Sequence, residues 1–268
     1  MPPKPTPPGP GGLRPRAPCS PARMPTGMKR PEPAARALDN AQRFTRADRA
    51  ASALATRISE IITYGARARG RASLLVPGGR TPIPLFDALC GLDVPWQQVY
   101  VGLTDERRVP PEDRQSNARL IREHLLRDRA AAAHFPLLYH DAVGDRAVEA
   151  ACGAALGLLP RPFDAVVVGM GDDGHIASLF PGDAALARGL DPATEAPCVL
   201  TRAADPPYER LSLTLATLLS SRWVALLING SAKWAALETA IERQDAQASP
   251  VYALLNQRQV AVNVFYAP

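Results

Sequence analysis

The chain has 268 residues, of which 46% are hydrophobic and 21% are charged, a composition that indicates a folded globular protein and excludes a disordered or fibrous one. Its formal net charge is +5, but the excess of basic residues lies in the first 30 positions, before the first acidic residue, Glu32. The rest of the chain is nearly balanced in charge, which argues against a polyanion-binding surface, so we expect no nucleic-acid partner.

The cysteines and the apolar segments indicate the compartment. The four cysteines, at positions 19, 90, 152 and 198, are far apart and form no Cys-x-x-Cys pair, which predicts free thiols in a reducing compartment. No run of about 18 apolar residues exists, and the N-terminus lacks the apolar segment of a secretory signal. We therefore expect a cytoplasmic protein that does not interact with membranes.

Residues 1–33 are dominated by Pro, Gly and Arg and show no hydrophobic periodicity. Such a segment cannot bury enough surface to offset its ordering entropy, and we predict a disordered tail without a function of its own. It contains Met24 and Met28, which are candidate translation starts beside Met1. The folded domain is predicted to cover residues 36–268.

Beyond the tail, apolar runs that end in Gly-rich or polar loops alternate with helical patterns. A long helix is predicted over residues 41–69, from apolar residues at helical spacing. Strands follow at residues 72–76, 99–103, 165–168, 197–201, 223–228 and 260–265, with helices at 83–90, 117–127, 147–158, 213–219 and 232–242. This alternation predicts an α/β fold: a single Rossmann-like domain whose mostly parallel sheet carries helices on both faces. Ligands of such sheets bind beyond the carboxyl ends of the strands.

The loop after the first predicted strand, residues 77–82, suits an anion. Gly78 and Gly79 allow close backbone approach, and Arg80 adds a charge suited to phosphate. Thr81 is a candidate N-cap, with Pro82 at the first helical position. A tight strand–helix turn with a solvated arginine is an equally good interpretation of this segment alone.

Polar residues also follow the next strand. Asp105, Glu106 and Arg107 follow Thr104 at the end of this strand, where they can orient a polyol by hydrogen bonds. Ser116 is a candidate N-cap for the next helix, and Asn117 follows it. Taken alone, this segment is better explained as a surface turn with partly paired charges.

The third loop, residues 169–181, contains Asp173 and His175. Histidine titrates near neutral pH, and a neighbouring carboxylate fixes its tautomer and raises its basicity, so the pair predicts an acid/base site. The other histidines, His124, His134 and His140, lie in a charged helix or in loops and are interpreted as surface residues.

Three other interpretations of this loop are less favourable. The spacing Gly169-x-Gly171-x-x-Gly174 matches the dinucleotide fingerprint, but Asp172 and Asp173 would repel a pyrophosphate, and Pro181-Gly182 stops any long helix. A metal site lacks a second cluster of ligands. No Gly-x-Ser-x-Gly nucleophile elbow occurs, which favours direct attack by water over an acyl-enzyme.

These motifs resemble the 6-phosphogluconolactonase family, within the wider group that includes glucosamine-6-phosphate deaminase. The resemblance rests on Pro77-Gly-Gly-Arg-Thr-Pro82, on Asp105-Glu-Arg-Arg-Val-Pro110 with Ser116-Asn117, and on Gly169-Met-Gly-Asp-Asp-Gly-His-Ile-Ala-Ser-Leu-Phe-Pro181. Weaker matches are Pro206-Pro-Tyr-Glu-Arg-Leu-Ser-Leu-Thr214 and Asn229-Gly-Ser-Ala-Lys233. Together they cover roughly residues 36–268.

The resemblance implies hydrolysis of 6-phospho-D-glucono-1,5-lactone to 6-phosphogluconate in the oxidative pentose phosphate pathway, without metal or cofactor. It implies that His175 is the general base that activates water and that Asp173 is the carboxylate beside it. Arg210 and Lys233 match basic residues expected at the phosphate. The candidate substrate-binding residues are thus Gly78, Gly79, Arg80, Thr81, Asp105, Glu106, Arg107, Ser116, Asn117, Gly171, Arg210 and Lys233.

The sequence departs from the family at a few positions. Ile176 stands where the lactonases usually have Thr and the deaminases often have Ile, while Ser212 and Asn229 each replace a Thr. The deaminases carry Asn-Glu-Pro after the Gly-His-Ile, whereas this chain has Ser178-Leu-Phe-Pro181, as in the lactonases. A glucosamine-6-phosphate deaminase and a non-enzymatic sugar-phosphate sensor remain as alternatives. We expect a monomer or a weak homo-oligomer.

Overall fold

The structure, a computed structural model, describes Met1 and residues 32–138 and 141–268. The predicted tail therefore lies almost entirely outside the described residues. The helices are α1 (Pro33–Asp39), α2 (Ala47–Arg69), α3 (Ile83–Leu89), α4 (Asn117–His124), α5 (Asp145–Gly157), α6 (Leu186–Leu190), α7 (Leu215–Leu219), α8 (Ser231–Arg243) and α9 (Pro250–Leu255). The strands are β1 (Gln42–Arg43), β2 (Ala72–Val76), β3 (Val99–Leu103), β4 (Asp105–Arg107), β5 (Ala165–Gly169), β6 (Cys198–Arg202), β7 (Glu209–Leu213), β8 (Val224–Asn229) and β9 (Val262–Ala267).

Six strands form a parallel sheet in the order β1-β9-β8-β5-β2-β3. Every residue of β2 is buried. Because successive side chains of a strand point to opposite faces, such burial requires cover on both faces of the sheet. The α/β fold with a mostly parallel sheet is thus confirmed, and residues 32–268 form one compact unit.

The longest helix, α2, packs along this sheet, with Leu54, Ile58 and Ile62 among its fully buried residues. It ends at Gly70, whose φ of 75° is the left-handed conformation that commonly terminates helices. The prediction that this helix begins at residue 41 is wrong. Residues 42–43 instead pair with β9 as an edge strand.

A second, three-stranded antiparallel sheet in the order β4-β7-β6 corrects the prediction at three places. The strand predicted at residues 197–201 belongs to this sheet and not to the parallel one. Residues 105–107, interpreted as a loop, form its strand β4. The helix predicted from residue 213 begins only at Leu215, because residues 209–213 pair with β6 and residues 210–212 also pair with β4.

The order of the parallel strands predicts where a ligand binds. From β2 the chain moves outward to β3, whereas from β5 it moves the opposite way to β8 and β9. The reversal lies between β2 and β5, and the crevice at the carboxyl ends of such neighbours is the usual ligand site of α/β sheets. The loops after β2 and β5 are the first and third motif segments of the sequence.

Candidate active site

The loop after β5 places an imidazole next to a carboxylate. The Nδ1 atom of His175 lies 2.6 Å from Oδ1 of Asp173, and the same oxygen accepts the backbone N–H of His175 at 3.1 Å. Burial acts to raise the pKa of Asp173, but the hydrogen bonds from the His175 ring and backbone outweigh it, so this pKa is lower than usual. The predicted acid/base pair is therefore assembled in the structure.

Two glycines and a phenylalanine determine where this imidazole lies. A Cβ atom on Gly171 would come within 2.2 Å of the His175 ring, so only glycine leaves room for it. Gly174 has a φ of 81°, and its carbonyl accepts the N–H of Val251 from α9, a helix that we did not predict. The ring of Phe180 lies 4.7 Å from the imidazole, centroid to centroid. The loop thus holds the imidazole from several sides.

The loop after β2 offers unused hydrogen-bond donors. Gly79 has a φ of 83°, and the N–H groups of residues 78–81 donate to no other group of the described chain. Arg80 is exposed and has no ion-pair partner among the described residues. The predicted N-cap role of Thr81 is wrong, because α3 begins at Ile83 and its first turn receives no side-chain bond. Free N–H groups beside an unpaired guanidinium suit a phosphate.

The loops after β5 and β2 form two walls of the site, and the segment after β3 forms a third. The side chains of this segment point in different directions. Asp105 and Arg107 line the site, whereas Glu106 between them is 1% exposed and points into the protein. Its carboxylate accepts the backbone N–H groups of residues 107, 117 and 118 and the hydroxyl of Ser116. Burial raises the pKa of Glu106, and the three N–H donors offset that effect only in part. Glu106 therefore supports α4 and does not face the cavity.

The start of α4 supplies an amide. The hydroxyl of Ser116 accepts the N–H of Arg119 at 3.3 Å, so its predicted N-cap role is confirmed. The next side chain, Asn117, donates to the Asp105 carbonyl at 2.9 Å, and its Oδ1 atom has no partner among the described residues. A Cβ atom on Gly78 would lie 1.9 Å from that oxygen. The first loop and α4 therefore meet only because residue 78 is glycine.

Of the two basic residues predicted in the C-terminal half, Lys233 lines the site and Arg210 does not. Lys233, in the first turn of α8, lines the site and donates from Nζ to the carbonyl oxygen of Met170 at 2.7 Å. Arg210 lies on β7 opposite Arg107, and burial together with Arg107 lowers its pKa. Arg210 does not line the cavity.

These walls enclose a cavity of about 320 Å³ at the strand reversal, within the usual range for small-molecule sites. The predicted residues that line it are Gly78, Gly79, Arg80, Thr81, Asp105, Arg107, Asn117, Gly171, His175 and Lys233; those that do not are Glu106, Ser116, Asp173 and Arg210. Lining residues that we did not predict are Pro77, Pro82, Gly169, Met170, Ala177 and Leu227. Most of these are neighbours of predicted residues, but Leu227 lies inside β8 and no motif indicates it. Ile176, where the chain departs from the usual Thr, is fully buried and contributes nothing to the lining.

The other described histidines lie outside this cavity. His124 contacts Asp87 at 3.2 Å, and His134 contacts the carbonyl oxygen of Gln97 at 3.1 Å. His140 lies outside the described residues. Over residues 32–138 and 141–268, no three His, Cys, Asp or Glu side chains are grouped as metal ligands, and no helix has the length and hydropathy to cross a bilayer.

The chain matches known proteins over nearly all of the described part. Residues 45–263 match the sequence model of the family of glucosamine-6-phosphate isomerases and 6-phosphogluconolactonases. The chain belongs to this family.

Individual relatives agree with this membership. A 6-phosphogluconolactonase of Mesorhizobium japonicum is 42% identical over 218 residues, which are 81% of this chain and 91% of the relative. One of Caulobacter vibrioides is 41% identical over 82% of this chain and 92% of its own. The crystal structure of a 6-phosphogluconolactonase from Shewanella baltica OS155 superposes with a TM-score of 0.81 at 38% identity, covering 85% of this chain and 97% of that one. The family match spans all three loops of the cavity.

Proposed function

We propose that this chain hydrolyses 6-phospho-D-glucono-1,5-lactone to 6-phosphogluconate, a step of the oxidative pentose phosphate pathway. Relatives of about 40% identity over most of the chain carry the name of this activity. The observation that carries the proposal is the His175–Asp173 pair, whose imidazole lines a cavity together with Arg80 and Lys233. Neither the deaminase nor a non-catalytic sensor is favoured by these relatives.

His175 acts as a general base in this proposal. The Asp173 carboxylate accepts a hydrogen bond from Nδ1–H, so the neutral imidazole keeps its lone pair on Nε2, which has no partner within the described residues. Nε2 takes a proton from water as the water oxygen attacks the lactone carbonyl carbon. When the ring C–O bond breaks, the same nitrogen returns the proton to the leaving oxygen. The imidazolium formed between these steps is stabilised by the Asp173 carboxylate.

The substrate phosphate is held by positive charge and by free N–H groups. Arg80 and Lys233 bring two cations to the cavity, and residues 78–81 add N–H donors that have no partner in the described chain. Charge-assisted hydrogen bonds of this kind are about twice as strong as neutral ones. Arg210 is not a direct phosphate ligand in this proposal, because it does not line the cavity.

The sugar hydroxyls bind along the wall formed by β4 and α4. Asp105 presents a carboxylate there, and Asn117 lines the same wall with an amide oxygen that is buried and has no partner among the described residues. Both are hydrogen-bond acceptors, and a sugar ring offers several hydroxyl donors. The wall is thus complementary to a polyol.

The proposed reaction uses no metal or cofactor, because the water, the base and the phosphate ligands all come from solvent and this chain. We place it in the cytoplasm, where the free, buried thiols of Cys90, Cys152 and Cys198 stay reduced. We further propose that the chain acts as a monomer or a weak homo-oligomer, because the base and the two cations of the proposed mechanism come from the same chain.

The proposal is tested by a coupled assay with freshly prepared 6-phosphogluconolactone, from which the spontaneous hydrolysis is subtracted. We expect His175→Ala to lower kcat by about 10²–10⁴-fold, the usual contribution of a general base. Circular dichroism and thermal unfolding should show an intact fold.

His124→Ala is the matched control, because this histidine lies outside the cavity. It should retain wild-type kinetics. Turnover of glucosamine 6-phosphate by the wild type, without turnover of the lactone, would contradict the proposed function. Wild-type kcat in His175→Ala would contradict the role of this base.

A further inference from the structure

Asp105 is held in place by two hydroxyl groups. Its side chain is 8% exposed, and it provides the one carboxylate among the described residues that line the cavity. Thr104 Oγ1 donates to its Oδ1 atom at 3.2 Å, and Ser178 Oγ donates to its Oδ2 atom at 2.7 Å. No cation of the described chain forms an ion pair with it. The carboxylate orientation therefore depends on neutral donors.

Ser178 links this carboxylate to the loop of the catalytic base. It lies three residues after His175 and is 1% exposed. Its backbone N–H donates to Ser212 Oγ at 3.1 Å, and Ser212 is the register partner of Asp105 in the small sheet. The backbone of Ser178 is thus fixed by β7, and its hydroxyl reaches β4.

We propose that Ser178 is a positioning residue that keeps Asp105 oriented toward the sugar hydroxyls of the substrate. The inference rests on the proposed function. An ionised carboxylate has about four lone-pair sites for hydrogen bonds. The two hydroxyls occupy one on each oxygen, which leaves acceptor capacity for a ligand in the cavity. Without the Ser178 hydroxyl, one oxygen of Asp105 has no donor and the carboxylate can rotate about its side-chain bonds.

The test is a double-mutant cycle with Ser178→Ala, Asp105→Asn and the combined variant, in the lactone assay. We expect Ser178→Ala to raise KM about three- to tenfold in the wild-type background, as expected for a lost binding interaction. In the Asp105→Asn background, Ser178→Ala should alter KM by less than about twofold, because the effects of two substitutions that act through the same contact do not add. Equal factors in both backgrounds, or an unchanged KM in Ser178→Ala, would overturn the proposal.

Ser73→Ala is the matched control, because it removes a buried serine hydroxyl that does not contact Asp105. Ser73 is fully buried near the start of β2, away from the cavity, and donates to the Pro160 carbonyl at 2.8 Å. Ser73→Ala should lower the melting temperature and leave KM unchanged; a similar rise of KM in both alanine variants would overturn the proposal.

If Ser178→Ala does not fold, Ser178→Cys is the substitute, because it keeps the side-chain volume but is a weaker hydrogen-bond donor. It should raise KM by a smaller factor than the three- to tenfold expected for Ser178→Ala. A wild type that does not hydrolyse the lactone shows failure of the proposed function, whereas an active wild type with additive variants shows failure of this inference alone.

Discussion

The carboxylate of Asp173 contacts His175 twice, through the imidazole and through the backbone N–H. Asp173→Asn removes the negative charge and lets the amide present either an acceptor or a donor to Nδ1. We expect kcat for the lactone to fall about tenfold to hundredfold, less than in His175→Ala, because the base remains but its tautomer and its protonated form are less well stabilised. Steady-state kinetics with blank subtraction measures this, and an unchanged kcat would show that the tautomer does not depend on Asp173.

The contact between Asp173 and His175 also predicts that the difference in stability between wild type and Asp173→Asn depends on pH. The pKa of Asp173 is lowered in the folded chain relative to about 3.9 in the unfolded chain. Its carboxylate therefore contributes stability above about pH 4, and the contribution is lost as the pH falls through the folded-state pKa. Because the side chain is half exposed, the difference in unfolding free energy between wild type and Asp173→Asn should stay below about 1 kcal/mol at pH 6. Urea titrations at pH 6 and below pH 4 measure it.

The sequence was sufficient to predict a site residue where a chemically suitable side chain stands in a glycine-rich loop at the end of a strand. His175 stands in a glycine-rich loop after a strand, and Arg80 follows two glycines, so residue type and position indicate the same role. Glu106 has the residue type of a ligand, but the alternation of side chains along β4 turns it into the protein, between Asp105 and Arg107. A strand of three residues leaves too short a pattern to show this.

At the scale of elements, the N-terminus of α4 depends on Glu106. Its carboxylate accepts three backbone N–H groups at 2.7 Å and the Ser116 hydroxyl. A glutamine has one acceptor oxygen, and its amide nitrogen would face donors. We expect Glu106→Gln to lower the unfolding free energy by at least about 2 kcal/mol, because buried donors lose their partners. Chemical denaturation measures this loss.

Glu123→Gln on the same helix is the matched control for this experiment. Glu123 pairs with Arg119 one turn away at the surface, and such pairs contribute about 0.3–0.5 kcal/mol. Its loss should therefore be much smaller. If the two glutamine variants had equal stability, Glu106 would not be the acceptor that holds this helix end.

The elements themselves were predictable to different degrees. The buried strands of the parallel sheet are continuous apolar runs, and most of their positions agree with the structure. The small sheet was missed because β4 pairs with β7 across a long sequence separation, Asp105 with Ser212 for example, whereas only β6 and β7 form a local hairpin. Residues 209–213 have too little periodicity to distinguish a strand from the start of a helix. Register between distant strands is a tertiary property that local patterns do not contain.

At the scale of the whole molecule, we expect activity to reside in residues 32–268. These residues form one compact unit, and the family match begins only at residue 45. A variant that begins with an initiator Met followed by Glu32 should show wild-type kcat and KM for the lactone and a melting temperature within about 2 °C of the full chain. Lost activity in this variant would assign a role to the first 31 residues.

A shorter variant that begins at Ala47 provides the contrast. It lacks α1 and β1, and thereby the pairing with β9 and the stacking of Phe44 on Phe265 at 6.2 Å. We expect a clear loss of stability, because an edge strand and a helix that pack on the sheet are removed. Equal melting temperatures of the two truncated chains would show that these elements do not stabilise the domain.

A single residue, Thr104, separates β3 of the parallel sheet from β4 of the small sheet along the chain. Its N–H donates to the Val76 carbonyl of the parallel sheet, and its carbonyl accepts the N–H of Leu213 from the small sheet. Both backbone groups are thus used, so this residue cannot serve as a hinge without breaking two hydrogen bonds. The wall that carries Asp105 should keep the same shape in the empty and the occupied cavity. Binding a sugar there would then cost little conformational entropy, because the protein does not have to order that side of the cavity around its ligand.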